Sequence, residues 1–164
     1  MCEELTVVRI TPSVIELIAA EARRSRDGNE TGGALFGFDA SIHGPPLISH
    51  ALGPGPQAIR EPKRFLRDLE YTRRAAEAIH HESAAQWIGE WHTHPGGQPQ
   101  PSDADIESYL RHLHDPELGF DMLISCIVVP VDPEWNEAIV VAWSIDQESA
   151  RLLEIDVHEE AGSL

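Results

Sequence analysis

The chain has 164 residues and carries 28 Asp and Glu against 12 Lys and Arg, a formal net charge of −16. That length suits one domain over residues 1–164, with a core that buries about two-thirds of the unfolded chain's surface. So acidic a surface repels phosphate backbones, which argues against DNA or RNA as the main partner, and no apolar run approaches the ~20 residues of a membrane span. The chain opens without the charged and apolar regions of a secretory signal, so a cytoplasmic protein with no membrane partner is expected. Residues 5–10 alternate weakly and predict a first strand. Thr11-Pro12 then supplies an N-cap and a proline at the first helical position. The helix runs toward Arg24, with Val14, Ile15, Ile18, Ala19 and Ala22 at helical spacing. Arginines followed by Gly28 close it, as the helix dipole favours. Residues 33–38 and 46–52 predict two strands joined across His43-Gly44, and Gly53-Pro54-Gly55-Pro56 predicts a turn. Residues 65–81 carry a helical stripe of Leu69, Ala75, Ala76 and Ile79. Residues 122–131 and 137–145 predict apolar strands parted by Asp132-Pro133-Glu134, and 152–157 a last strand at a sheet edge. Cys126 falls in the first of these and packs as a small hydrophobe, Cys2 falls at the terminus, and no disulfide is expected. Strands interleaved with three helices argue an α/β protein with a layered sheet flanked by helices.

The chemistry is concentrated where His92-Thr93-His94-Pro95 is followed by Ser102-Asp103-Ala104-Asp105. The β-formers of Ala85-Gln86-Trp87-Ile88-Gly89-Glu90-Trp91 predict a strand leading into it. Residues i and i+2 of a strand point the same way, so His92 and His94 present both rings to one face. The stretch from Pro95 to Pro101 holds three prolines and two glycines and must be a loop. Ser102 then reads as an N-cap, with Asp105 at the third helical position and Ile106, Leu110 and Leu113 following. Asp105 in that first turn can face back toward the two histidines. Two imidazoles and a carboxylate are the ligands of a hydrolytic zinc site, and three protein ligands leave a fourth position for water. Glu90, two residues before His92, shares its face and lies about 6.5–7 Å back along the strand. From there it is a rival catalytic base or a group that orients an imidazole N–H. His112 and His114 fall on a helix, about 200° apart, and cannot share a metal in the same way. They read as helix-end histidines that interact with the dipole, as do His80 and His81.

The pattern H-x-H-P, six residues, then S-x-x-D resembles the signature of the JAMM (JAB-domain, MPN-plus) metalloproteases. His92, Thr93, His94, Pro95, Ser102 and Asp105 all fall in register, and Glu30-Thr31-Gly32-Gly33-Ala34-Leu35-Phe36-Gly37 is similar to the family's upstream glutamate and glycine-rich strand. The resemblance implies a mixed sheet of the cytidine-deaminase-like type and a zinc held by His92, His94 and Asp105. It assigns Glu30 as the general base and Ser102 as the donor to the oxyanion. Ser102 would then serve two partners, its lone pair toward a backbone N–H and its proton toward substrate. Gly89-Glu90-Trp91 ahead of the histidines, with Arg64-Phe65 upstream, resembles the compact prokaryotic branch. That branch implies a peptidase that removes or trims a ubiquitin-like modifier, with E1-like and E2-like operon partners, antiphage systems included. Processing of a sulfur-carrier protein with a diglycine tail, and a non-catalytic MPN-type binding scaffold, are the other readings.

Overall fold

The computed structural model describes residues 4–159, so Cys2 lies outside the described residues. The chain runs β1 (Val7–Ile10), α1 (Pro12–Ala22), a 3-10 turn (Arg23–Asp27), β2 (Gly32–Phe38) and β3 (Leu47–Ala51). It continues through β4 (Ile59–Glu61), β5 (Arg64–Leu66), α2 (Leu69–Ser83), β6 (Gln86–Thr93) and α3 (Asp103–His114). Strands β7 (Leu123–Pro130), β8 (Ala138–Ile145) and β9 (Ala150–Val157) complete it. Proline at the first position of α1 and Gly28 in the left-handed region after the 3-10 turn bound the first helical segment as expected. Thr11 precedes that proline without a capping bond from its side chain to the helix backbone.

Seven strands make one mixed sheet in the order β1-β3-β2-β6-β7-β8-β9. The sheet does not stay open as a flat layer: β1 pairs in parallel with β9, Val7 opposite Glu154 through Ile10 opposite Val157, and the sheet closes on itself. The last strand is therefore an interior strand and not an edge, paired to β8 on one side and β1 on the other. Closure removes the two edges that an open sheet leaves unpaired. Val14, Ile18 and Ala22, one stripe of α1, pack with Val8, Leu35, Ile48, Trp91, Cys126, Val128 and Leu153 in the main core. Helix α2 covers the other face through Ala76 and Ile79 against Ala34, Phe36 and Ala85. Helix α3 does so through Tyr109 and Leu113 against Leu123 and Ile145. Cys126 is fully buried, and burial pushes its thiol up to about 12, so it packs as an inert hydrophobe.

A second departure lies ahead of α2. Phe65 and Leu66, expected within a helix, instead finish a hairpin of β4 and β5, and Asp68 caps α2 by accepting from the Tyr71 N–H at 3.1 Å. Leu69 and Ile79 have the helical spacing, but Phe65 and Leu66 extend that apolar pattern without belonging to it. No helix among the described residues is long and apolar enough to cross a membrane.

Candidate metal centre

Strand β6 carries His92, and His94, the residue after its end, keeps the extended line through a bond from its N–H to the Val128 carbonyl at 2.9 Å, so both rings face one side. The strand lies between β2 and β7, pairing antiparallel with the first and parallel with the second, and both histidines are buried. The β2–β6 register shifts between Leu35 and Phe36, opposite Ile88, and this changes the parity of β6. Trp87 thereby joins Glu90 and His92 on the outer face, while Ile88 and Trp91 enter the core. Gly32 stands opposite His92, where a Cβ would collide with the Trp91 carbonyl. Glycine there allows β2 to run close against β6, and Glu30 arrives two residues earlier, 6% exposed.

Across the loop, α3 begins with a capping box. Ser102 Oγ accepts from the Asp105 N–H at 3.1 Å, and Asp105 Oδ2 accepts from the Ser102 N–H at 2.8 Å. The same Oδ2 lies 3.2 Å from His92 Nε2 and 3.1 Å from His94 Nε2, and the two Nε2 atoms are 2.9 Å apart. His94 Nδ1 donates to the Gln98 carbonyl at 2.6 Å, which leaves the lone pair of the neutral ring on Nε2. Three potential ligand atoms thus converge on one point, where either a shared proton or a metal ion can hold them together. Tetrahedral ligands at zinc-like bond lengths stand about 3.3 Å apart, so the triangle fits a divalent ion. Glu30 is the fourth member: one ligand atom from each of Glu30, His92, His94 and Asp105 lies within 4.8 Å of the others.

The electrostatics separate the two carboxylates. Burial opposes ionisation of Asp105, but hydrogen bonds from His92 and His94 and the Ser102 N–H outweigh it and hold the carboxyl well below the usual range. Burial pushes Glu30 up to about 7, opposed by the His94 charge and reinforced by Asp105. His94 is opposed by burial, yet Asp105, the Gln98 carbonyl and Glu30 raise it. In the metal-free protein the two carboxyls are thus pushed in opposite directions, Asp105 toward the anion and Glu30 up to about 7. A cleft of about 180 Å³ opens on the group, lined also by Lys63, Arg64, Phe65, Leu66 and Arg111.

The family model for prokaryotic homologs of the JAB domain matches residues 11–146. The chain belongs to this family. The JAB domain is 32% identical over 116 residues to y4qB, a probable metalloprotease of Sinorhizobium fredii, across 68% of each chain. It is 33% identical over 116 residues to a Pseudomonas aeruginosa protein named CD-NTase/cGAS isopeptidase, 65% of this chain and 67% of that one. An Enterobacter hormaechei protein of the same name is 31% identical over 104 residues, 63% of this chain and 57% of the other. A solution structure from Desulfitobacterium hafniense, 21% identical, covers 93% of this chain and 94% of its own with a TM-score of 0.69, a likeness of fold. With metalloprotease and isopeptidase relatives and the Glu-His-His-Asp cluster, the JAB domain is an enzyme of the metalloprotease type.

Glu90 faces the same cleft, but its carboxylate pairs with Arg67. The guanidinium also lies 5.2 Å over the Trp87 ring and 3.2 Å from His112 Nε2. That engagement gives Glu90 a structural partner at the cleft wall. His112 is engaged as well: its Nδ1 donates to the Ser108 carbonyl, and burial and Arg67 lower its pKa. It lies in the last turn of α3 as expected, but half-buried and held by hydrogen bonds rather than free in solvent. Sequence reasoning missed Arg67 and also Arg60, whose Nε donates to the Glu30 carbonyl at 3.1 Å while its other nitrogens grip Asp27 at 3.0 and 3.1 Å. Nothing local in the sequence marks either arginine, because both partners are distant along the chain.

Proposed function

We propose that this JAB domain is a zinc-dependent isopeptidase that removes or trims a ubiquitin-like modifier in a prokaryotic, antiphage conjugation system. Residues 1–164 are read as one JAB/MPN domain of the cytidine-deaminase-like type. The observation that carries the proposal is the triangle of His92, His94 and Asp105 ligand atoms with the buried Glu30 carboxylate beside it, all four ligand atoms within 4.8 Å of one another.

In this reading His92, His94 and Asp105 hold the zinc. Bound zinc supplies Lewis acidity that brings the pKa of water down toward about 7. The Glu30 carboxylate takes the proton from the attacking water and returns it to the nitrogen of the leaving amine. An amine leaves poorly without that proton, so peptide and isopeptide cleavage need both transfers. Ser102 Oγ already accepts from the Asp105 N–H, which leaves its own proton to donate to the oxyanion. The capping box supports this role by tying Ser102 and Asp105 to each other. The Gln98 carbonyl fixes the His94 tautomer. The names of the isopeptidase relatives favour deconjugation over sulfur-carrier processing.

The test is cleavage of an isopeptide-linked modifier conjugate by purified protein before and after chelation. Cleavage should stop on chelation and return with one equivalent of zinc. Processing of a linear sulfur-carrier precursor, with isopeptide conjugates left intact, would overturn the assignment.

A further inference from the structure

Between the two histidines, Thr93 points away from the cleft into a buried cluster of hydroxyls. Its Oγ1 lies 2.6 Å from Ser25 Oγ, accepts from the Thr31 N–H at 2.8 Å and faces the Thr31 carbonyl at 3.3 Å. The Thr93 N–H donates to that same carbonyl at 2.8 Å. Thr93 is fully buried, and so is Thr31, while Ser25 is 2% exposed. The regular β2–β6 ladder begins at Gly32 opposite His92. Thr93 therefore extends the pairing one residue beyond the ladder with a side chain, and that residue is the neighbour of Glu30. Ser25 ties the same hydroxyl to the turn after α1.

We propose that Thr93 is a positioning residue whose hydroxyl sets the distance between the Glu30 carboxylate and the groups on β6. The idea rests on the reading of Glu30 as base and His92 and His94 as ligands. His92 reaches the site from β6, held on both sides by β2 and β7, and His94 follows it with its N–H on the Val128 carbonyl of β7. Glu30 precedes the ladder and depends on attachments beyond it. Valine has the shape of threonine and lacks the hydroxyl, so Thr93→Val deprives the Thr31 N–H of its acceptor inside a buried site. The Thr93 N–H still holds the Thr31 carbonyl and Glu61 and Arg60 still hold Glu30, so the pairing survives, while the Thr31 backbone shifts locally and takes Glu30 with it. A shift on the scale of 1 Å is enough to cost about 10²-fold in rate.

The experiment measures zinc content, KM and kcat for Thr93→Val, Thr93→Ser, Ser25→Ala and Glu30→Gln, below the unfolding temperature of each variant. Thr93→Val should keep its zinc and KM and lose kcat by about 10²-fold. Thr93→Ser, which restores the hydroxyl, should recover most of that loss, and Ser25→Ala should lower kcat less, with zinc and KM again unchanged. Wild-type kcat in Thr93→Val, a loss that Thr93→Ser shares, or a fall in zinc parallel to the fall in kcat would overturn the proposal. If Glu30→Gln itself turns over at the wild-type rate, the reading of Glu30 as base fails, and this inference fails with it.

Discussion

Glu30 sits where burial and neighbouring charge compete for its proton. Glu30→Gln keeps the size of the side chain but cannot accept a proton. It should lower turnover by about 10²–10⁴, with zinc content unchanged. With the metal removed, Glu30 is held up at about 7 against an ordinary 4.5. A carboxyl harder to ionise in the folded state stabilises the fold below its unfolded pKa and loses that stabilisation as pH rises through the folded value. Metal-free Glu30→Gln should therefore match the wild type near pH 4.5 and gain stability over it above pH 7. Thermal unfolding of chelated protein across that window checks this, and a pH-independent difference would contradict it. Glu90→Gln should behave otherwise. Arg67 and Glu90 are only 10% and 14% exposed, so removing one charge strands the other at a cost on the order of 3 kcal/mol. Its signature is a lowered Tm with the rate largely retained at low temperature. Abolished turnover in a folded Glu90→Gln would return the role of base to Glu90.

Elements differ in how plainly the sequence announces them. The path from β6 through the loop to α3 is legible because each of its signals is local: a two-residue period, three prolines, a Ser-x-x-Asp cap. The β4–β5 hairpin is not, since Phe65 and Leu66 prolong the apolar spacing of α2, and only Asp68, the true cap, marks the boundary. That hairpin is nevertheless half of the cleft wall. Its Glu61 carbonyl accepts from the Glu30 N–H at 2.9 Å, and Lys63, Arg64, Phe65 and Leu66 line the opening. An extended substrate tail pairing with β5 would use its exposed backbone for affinity, and the narrow cleft would then favour glycine before the cut. Peptides with diglycine, leucine or lysine at that position should separate by rate, with glycine strongly preferred. Equal cleavage of all three would contradict a tail held this way.

At the scale of the whole molecule, closure of the sheet is what no segment reveals. Residues of β1 and β9 lie at opposite ends of the chain and meet only through the accumulated curvature of the strands between them. Read alone, the last strand looks like an edge, and only the closed sheet shows it paired on both sides. The site is a different case. Glu30 comes from just before β2, His92 from the end of β6, His94 from the residue after it, and Asp105 from the first turn of α3. They were legible through the spacing and chemistry of the motif, yet the contacts of Thr93, itself within the motif, and of Arg60 and Arg67 were not, since they exist only in the assembled fold. The claim on which the rest depends is that those two histidines and Asp105 hold the metal. Elemental analysis of purified wild type and of the His92→Ala/His94→Ala double variant tests it most directly. We expect about one zinc per chain in the wild type and none in the double variant; stoichiometric zinc retained by the double variant would contradict the account.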